Sequence, residues 1–229
     1  MIRREKVIVL TSGGFDSAAL LAWAVQRYRL VQPLYCRFGL RWEKAELYWL
    51  KKFLAAYQPS GLLPLSVLEN SFKSQYRTHW SLTGEGVPGI CSPDPSVYLP
   101  GRNIALLSQA GIYAAKNDYK DIVLGTLASN PFPDATPQFF RSMGQALTHG
   151  LEKKIRIGAP FRKTSKQKVF KLFPNLPFHL VFSCLNPKRL RPCGDCNKCA
   201  ELTRLTRSLP LGARTSQAQR AWHLRRQSR

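Results

Sequence analysis

The feature that most constrains the fold is the junction between the apolar run Lys6–Leu10 and the helix pattern that follows it, joined by Ser-Gly-Gly-Phe-Asp-Ser. A strand that ends in Gly-Gly and turns at once into a helix presents backbone N–H groups beside the positive end of the helix dipole, which is a site for anions. Ser12 and Ser17 add hydroxyl donors, and Asp16 could cap the helix or reach a metal held by bound phosphates. The alternative is an ordinary strand–turn–helix junction, with glycine in a left-handed turn and Asp or Ser as the N-cap.

Strand and helix patterns alternate along most of the chain. Five short apolar runs predict buried strands: KVIVL, LVQPLYCRF, LLPLSVL, DIVLGT and KIRIGAPF. Helical periodicity lies between and after them, at about 17–28, 42–57, 102–116, 136–151 and 164–173. Thr136 followed by Pro137 is typical of a helix start. This alternation predicts an α/β fold with a doubly wound parallel sheet.

The ligand site of such a sheet lies beyond the carboxyl ends of its strands. The Ser12–Ser17 loop and Gly125 both follow strands, so we expect them to share one site. Residues 70–100 show little periodicity and predict a long loop over that site, because loops of this length in compact domains are often functional.

Four cysteines near the C-terminus have the spacing Cys-x8-Cys-x2-Cys-x2-Cys, which is typical of a metal site rather than of disulfides in a chain without a secretion signal. Two intervening residues let neighbouring sulfurs reach one ion, and four thiolates complete a closed structural zinc site. An iron–sulfur cluster is the competing interpretation. The ligand candidates are Cys184, Cys193, Cys196 and Cys199; basic neighbours that would offset their charge are Lys188, Arg189, Arg191 and Lys198.

The chain is strongly basic, with 35 Lys and Arg against 13 Asp and Glu and a net charge of +22. This balance suits polyanions, whether nucleic acid or nucleotide phosphates. No apolar stretch is long enough to cross a bilayer and the N-terminus lacks a signal-peptide pattern, which predicts a cytoplasmic protein with no membrane partner. We expect a main domain over 1–180, a zinc knot over 181–203 packed on it, and a basic, mobile tail over 204–229.

Three motifs together, SGGFDS, LPGRN at 99–103 and the cysteine spacing, resemble the 7-cyano-7-deazaguanine synthases of the PP-loop ATP pyrophosphatase superfamily. The resemblance runs from about Lys6 to Glu201. It implies a PP-loop, adenine-nucleotide-hydrolase-like fold and an ATP-dependent carbon–nitrogen ligase of queuosine biosynthesis. The implied substrates are 7-carboxy-7-deazaguanine and ammonia, the intermediates are an acyl adenylate and an amide, and ATP, Mg²⁺ and Zn²⁺ are the cofactors.

The resemblance also implies roles for single residues. Arg102 matches an arginine after Pro-Gly and could neutralise phosphate or a substrate carboxylate, while Lys166 matches a lysine near the site; with Asp16, these are the expected catalytic residues. Their alternatives are a surface arginine that opens a helix and a solvated helix lysine. The expected ATP-binding residues are Leu10, Ser12, Gly13, Gly14, Asp16, Ser17 and Gly125.

The segments that should shape the substrate pocket depart from the family pattern. The family usually shows Gln-Arg-His after the second strand, whereas this chain has Leu40, Arg41 and Trp42. Phe132 could stack on a guanine-like ring. Asp134 could accept hydrogen bonds from the edge of that ring, or it could only cap the helix that begins near Thr136. Asn103 contacts substrate or serves as a cap. The expected substrate residues are Arg41, Asn103, Phe132 and Asp134.

Three other functions are compatible with the sequence. The first is a tRNA-modifying PP-loop enzyme of the thiolase kind with an iron–sulfur cluster, which the basic charge favours and LPGRN disfavours. The second is a zinc-bearing nucleic-acid-binding module with a vestigial loop, and the third is a synthase relative that acts on another carboxylate. Nucleic acid is therefore a possible but unfavoured partner, and a homodimer is compatible with the sequence.

Overall fold

A computed structural model describes residues 3–207 and shows a five-stranded sheet in which every strand pairs in parallel. The strand order is β3-β2-β1-β4-β5. The strands are β1 (Arg4–Leu10), β2 (Tyr28–Arg37), β3 (Ser66–Glu69), β4 (Asp121–Val123) and β5 (Arg156–Gly158). The predicted doubly wound α/β class is confirmed, since the order reverses on either side of β1.

Eight α-helices connect and follow these strands in the described residues. They are α1 (Phe15–Val25), α2 (Glu43–Ala56), α3 (Lys73–Tyr76), α4 (Trp80–Thr83), α5 (Arg102–Lys116), α6 (Pro137–Leu151), α7 (Lys166–Leu172) and α8 (Asn197–Arg207). The start of α6 is as predicted: Thr136 is the N-cap, its hydroxyl accepts from the Phe139 amide at 3.1 Å, and Pro137 follows it.

The sheet is buried on both faces, as its continuous apolar strands require. Side chains alternate along β1, so Val7 and Val9 lie in one core and Ile8 and Leu10 in the other. The first core is closed by α1, α7 and α8, and the second by α5 and α6. This arrangement leaves the carboxyl ends of the central strands as the place where a ligand can enter.

Residues 70–100, expected to be a long loop, contain α3, α4 and a 3-10 turn at Asp94–Val97. The elements are too short to show a period in the sequence. The segment is joined to the cysteine region, because Asn197 donates its side-chain amide to the Ser92 carbonyl at 2.7 Å and its backbone N–H to Pro88.

The cysteine region shares the core of the main domain. Phe182, Cys184 and Cys199 belong to the core under α5 and α6, and Leu202 and Leu205 of α8 belong to the core around α1. The helix α8 continues to Arg207, beyond the expected start of the tail at 204. The rest of that predicted tail, 208–229, lies outside the described residues.

No helix in the part of the chain that the structure describes combines the length and hydrophobicity of a membrane span.

Candidate active site

The loop after β1 has the backbone form that its two glycines predict. Gly13 has a φ of +73°, a left-handed conformation that favours glycine, and a Cβ there would lie 3.0 Å from the Leu50 Cβ. Ser17 Oγ donates to the Gly14 carbonyl at 3.0 Å and accepts from the Ser12 amide at 3.2 Å. The two serines therefore hold the loop against the first turn of α1, in addition to any contact their hydroxyls make with a ligand.

A cavity of about 320 Å³ lies at the carboxyl ends of β1, β2 and β4, where a parallel sheet binds its ligand. The loop residues Ser12, Gly14, Asp16 and Ser17 line it together with Leu10 at the end of β1. Gly14 occupies the N-cap position of α1, and as a glycine it brings no capping side chain, so the first-turn amides are not capped by their own N-cap residue.

Gly125 packs directly against the loop at Asp16 and also lines the cavity. A Cβ at this position would lie 3.1 Å from the carbonyl carbon of Asp16 and 3.2 Å from its oxygen. The close approach, rather than a left-handed turn, favours glycine here, because the φ of Gly125 is not positive. The structure thus brings the Ser12–Ser17 loop and Gly125 together at one site, as expected from their positions after parallel strands.

One side of the cavity carries alternating charges, which we call the charged wall: Asp16, Lys166, Glu201 and Lys198. Lys166 Nζ lies 3.5 Å from Asp16 Oδ2 and also forms an ion pair with Glu201, which accepts from Lys198 at 2.8 Å. Burial raises the pKa of Asp16, with Lys166 opposing the shift. Burial acts to lower the pKa of Lys166, but Asp16 and Glu201 outweigh it, so that pKa is raised and the lysine is a cation at neutral pH.

Two members of the charged wall were not expected to lie in the site. Lys198 was predicted to offset the charge of the thiolates, and Glu201 was assigned no role. Both are on α8, which packs beside α1 and α7, so only the tertiary fold brings them to Lys166. The remaining oxygen of Asp16, Oδ1, is buried without a hydrogen-bond partner.

A second group of lining residues, which we call the aromatic wall, consists of Tyr35, Trp42, Glu46, Trp80 and Arg102. The rings of Trp42 and Trp80 are stacked, with centroids 5.9 Å apart and planes at 27°. Tyr35 donates its hydroxyl to Glu46 Oε2 at 2.7 Å. Arg102 keeps its Nε buried without a hydrogen-bond partner. This wall combines apolar rings with one acid and one cation.

Glu46 has a pKa of about 7, because burial raises it more than Arg102 and the Tyr35 hydrogen bond lower it. Sequence reasoning missed Tyr35, Glu46 and Trp80. Glu46 follows Trp42 by one helical turn, and its amide donates to the Trp42 carbonyl at 2.9 Å. That i, i+4 spacing was the available signal, since it places both side chains on one face of α2.

Asn103 and Asp134 bind each other. The backbone amide of Asn103 donates to Asp134 Oδ2 at 3.1 Å, and its side-chain amide donates to the Asp134 carbonyl at 2.9 Å and to Oδ1 at 3.3 Å. Asp134 therefore caps the start of α5; the expected cap at α6 is supplied by Thr136. Both residues line the cavity. Because both carboxylate oxygens of Asp134 already accept hydrogen bonds from Asn103, Asp134 is a poor candidate to accept hydrogen bonds from a guanine-like edge.

Phe132 lies at the cavity beside Tyr98, with ring centroids 5.0 Å apart, where it can offer an aromatic face to a ligand.

Arg41, expected to contact substrate, does not line the cavity. Its side chain is exposed, donates to Asn186 Oδ1 and reaches the Thr83 carbonyl at 3.1 Å. The left-handed turn after α4 brings Gly84 against this side chain, where a Cβ would lie 2.4 Å from Arg41 Nε. Arg41 thus links residues 70–100 to the cysteine region, whereas its neighbour Trp42 lines the cavity.

The four predicted metal ligands converge. The sulfurs of Cys184, Cys193, Cys196 and Cys199 all lie within 4.8 Å of one another. Backbone amides donate to two of them: Cys193 N–H to Cys184 Sγ at 3.2 Å and Leu185 N–H to Cys196 Sγ at 3.3 Å. This arrangement could hold a metal ion. Cys36 and Cys91 stand apart from it.

Together, these features define an α/β protein of parallel-sheet type, with a cavity at the carboxyl ends of its strands and a four-cysteine cluster that could hold a metal ion. Residues 6–206 match the model of the family described as "Queuosine biosynthesis protein QueC". The chain belongs to this family.

Curated relatives agree with the family match. The chain is 32% identical over 213 residues to the 7-cyano-7-deazaguanine synthase of Leptospira interrogans, covering 85% of this chain and 84% of the relative. It is 30% identical over 206 residues to the enzyme of that name from Picrophilus torridus, covering 85% and 84%. The synthase of Aquifex aeolicus is 30% identical over 220 residues, covering 88% and 96%. The resemblance drawn from the sequence motifs is confirmed, and the chain belongs to a family of enzymes.

Proposed function

We propose that this chain is an ATP-dependent ligase that converts 7-carboxy-7-deazaguanine and ammonia into 7-cyano-7-deazaguanine. The observation that carries the proposal is the cavity itself. It joins the Ser12–Ser17 loop and Lys166 to an aromatic wall, in a chain of the QueC family. A nucleotide and a flat heterocyclic acid need these two kinds of surface side by side.

The triphosphate binds at the loop end of the cavity. The helix dipole of α1 favours negative charge at its first turn. Lys166 already holds two carboxylates in place and supplies a cation at the same end, and Lys198 adds a second one. These groups stabilise the charge on the phosphate oxygens when pyrophosphate leaves.

Magnesium fits the loop end, because the buried oxygen Asp16 Oδ1 has no hydrogen-bond partner and carboxylate oxygens are the ligands that Mg²⁺ prefers. When bound, the ion would neutralise phosphate charge. Asp16 is the residue that would hold the ion, and Lys166 faces the other oxygen of the same carboxylate.

The chemistry needs positioning rather than a protein nucleophile. The substrate carboxylate attacks the α-phosphorus of ATP, which forms the acyl adenylate and releases pyrophosphate; ammonia then displaces AMP to give the amide. The amide oxygen then attacks the α-phosphorus of a second ATP and releases pyrophosphate, and loss of AMP with the two amide protons leaves the nitrile. Arg102, with its unpartnered Nε, is placed to hold an anionic arm of the substrate during the first step.

Zinc fits the cysteine cluster. In a tetrahedron with zinc–sulfur bonds of about 2.3 Å, the sulfurs lie about 3.8 Å apart, and two of the measured separations are 3.5 and 3.9 Å. The ion would be structural, since four cysteines leave no open position. It would hold α8 and with it Lys198 and Glu201 of the charged wall.

The proposal is tested by an ATP–pyrophosphate exchange assay with 7-carboxy-7-deazaguanine, which reports acyl-adenylate formation alone. Exchange that depends on the acid and is lost in Asp16→Ala supports the proposal. The absence of acid-dependent exchange in a protein that binds ATP would contradict it.

A further inference from the structure

The cavity offers one carboxylate to a heterocycle, and it is not the one that the sequence suggested. Of the cavity carboxylates, Asp134 has both oxygens bound to Asn103, while Asp16 and Glu201 are paired with Lys166. Glu46 has one oxygen held by the Tyr35 hydroxyl and forms no ion pair within 4.0 Å in the part of the chain the structure describes. It therefore retains acceptor capacity for a ligand.

We propose that Glu46 is the residue that selects the heterocycle of the acid substrate, by accepting hydrogen bonds from a ring N–H and an adjacent exocyclic amino group. This assignment rests on the proposed function. A carboxylate is an acceptor with two oxygens, so it matches an edge on which two neighbouring groups are both donors. The 2-amino-4-oxo edge of a deazaguanine is such an edge.

The adenine ring of ATP does not match Glu46 in the same way. The corresponding edge of adenine presents one donor, its amino group, next to a ring nitrogen that is an acceptor. A second carboxylate oxygen would face that nitrogen without a proton between them. The donor pattern thus assigns the aromatic wall to the acid substrate rather than to the nucleotide.

The surroundings of Glu46 fit a flat ring that carries an acidic arm. The stacked Trp42 and Trp80 give the wall an aromatic surface one helical turn from Glu46. Arg102 lines the same cavity without an ion pair to Glu46 within 4.0 Å among the described residues, and its Nε is unpartnered. A ligand with a donor edge and a carboxylate at separate positions can engage Glu46 and Arg102 at once.

Trp42 of this wall stands where the family usually has His, and Leu40, which is buried in the core rather than at the cavity, stands where it usually has Gln. Recognition by Glu46, fixed by Tyr35, supplies a polar contact that those two apolar side chains cannot make. The departure from the family pattern is then compatible with the same substrate.

The test measures equilibrium binding by quenching of tryptophan fluorescence, without turnover. The ligands are 7-carboxy-7-deazaguanine and the analogue that lacks the 2-amino group. The proteins are wild type, Glu46→Gln and the control Glu69→Gln, whose exposed carboxylate at the end of β3 pairs with Arg37 away from the cavity. Wild type and the control should prefer the amino compound by about 10- to 100-fold, the value of a charge-assisted hydrogen bond. Glu46→Gln should bind the acid at least tenfold more weakly, show a preference below about threefold, and bind ATP as wild type does.

The outcomes separate the two claims. If wild type does not bind the acid, the proposed function fails. If wild type binds it and Glu46→Gln keeps the full preference, or loses affinity for ATP instead, only the role of Glu46 is overturned. Should Glu46→Gln fail to fold by circular dichroism, Tyr35→Phe decides: it leaves the carboxylate in place but unanchored, so the preference should fall by about three- to tenfold, and an unchanged preference would refute the assignment.

Discussion

Replacing Lys166 with methionine should destabilise the protein by removing the cation between two carboxylates. The side chains of Lys166, Asp16 and Glu201 are 19%, 31% and 30% exposed, so water screens them only in part. At 3.5 Å from Asp16, a unit charge contributes about 5 kcal/mol at an effective dielectric of about 20. Methionine carries no charge that must be desolvated on folding, which offsets part of this contribution. We expect a net loss of about 2–4 kcal/mol in the free energy of unfolding at pH 7.5.

The loss should depend on pH with a definite sign. Burial already raises the pKa of Asp16, and without Lys166 it rises further. The folded variant therefore takes up a proton that the unfolded chain takes up only at lower pH, and its stability relative to wild type increases as the pH falls. The difference between the two proteins should be largest at pH 7.5 and smaller at pH 6.

Urea denaturation of the metal-loaded proteins at both pH values measures this difference. The matched control is Lys168→Met on the same short helix, whose side chain is exposed, and it should unfold like wild type. Wild-type stability in Lys166→Met, or the same loss at both pH values, would refute the reasoning.

Three further predictions follow from the site. Gly125→Val should raise the KM for ATP by about tenfold with the fold retained, because its Cβ would lie 3.1 Å from the Asp16 backbone. The control Gly150→Ala, whose Cβ meets nothing within 4 Å, should leave the KM for ATP unchanged. Affinity for 7-carboxy-7-deazaguanine should rise with pH through about 7 as Glu46 ionises against Tyr35, Glu43 and Arg102; a flat titration would contradict this. A chelator should lower the melting temperature by roughly 5 °C or more, since 1 kcal/mol shifts a domain of this size by about 2–4 °C; an unchanged melting curve would count against a structural metal.

The features that could be predicted from the sequence are those set by local chemistry. The Gly-Gly turn, the cap at Thr136 and the cysteine spacing each impose a geometry within a few residues, and apolar runs alternating with helix periods define a parallel sheet. The loop and Gly125 could also be placed together, because every parallel strand delivers its carboxyl end to the same edge.

The rest depends on how distant elements meet. Glu201 reaches Lys166 only because α8 packs against the face of the sheet that carries α1. Arg41 and Trp42 are adjacent in sequence, but the turn into α2 sends the tryptophan into the cavity and leaves the arginine outside. Asp134 was open to two interpretations, and tertiary packing selected a third, the cap of α5. None of these outcomes has a period or motif that marks it in advance.

The proposed function requires one cavity to bind ATP at its loop end and to activate a deazaguanine acid at its aromatic wall. The most direct measurement is to incubate the protein with ATP, magnesium, ammonium and 7-carboxy-7-deazaguanine and to follow the products by mass spectrometry. We predict that the amide forms first and the nitrile second, with one AMP and one pyrophosphate for each step, and that Asp16→Ala forms neither. Bound ATP with no conversion of the acid would contradict the account.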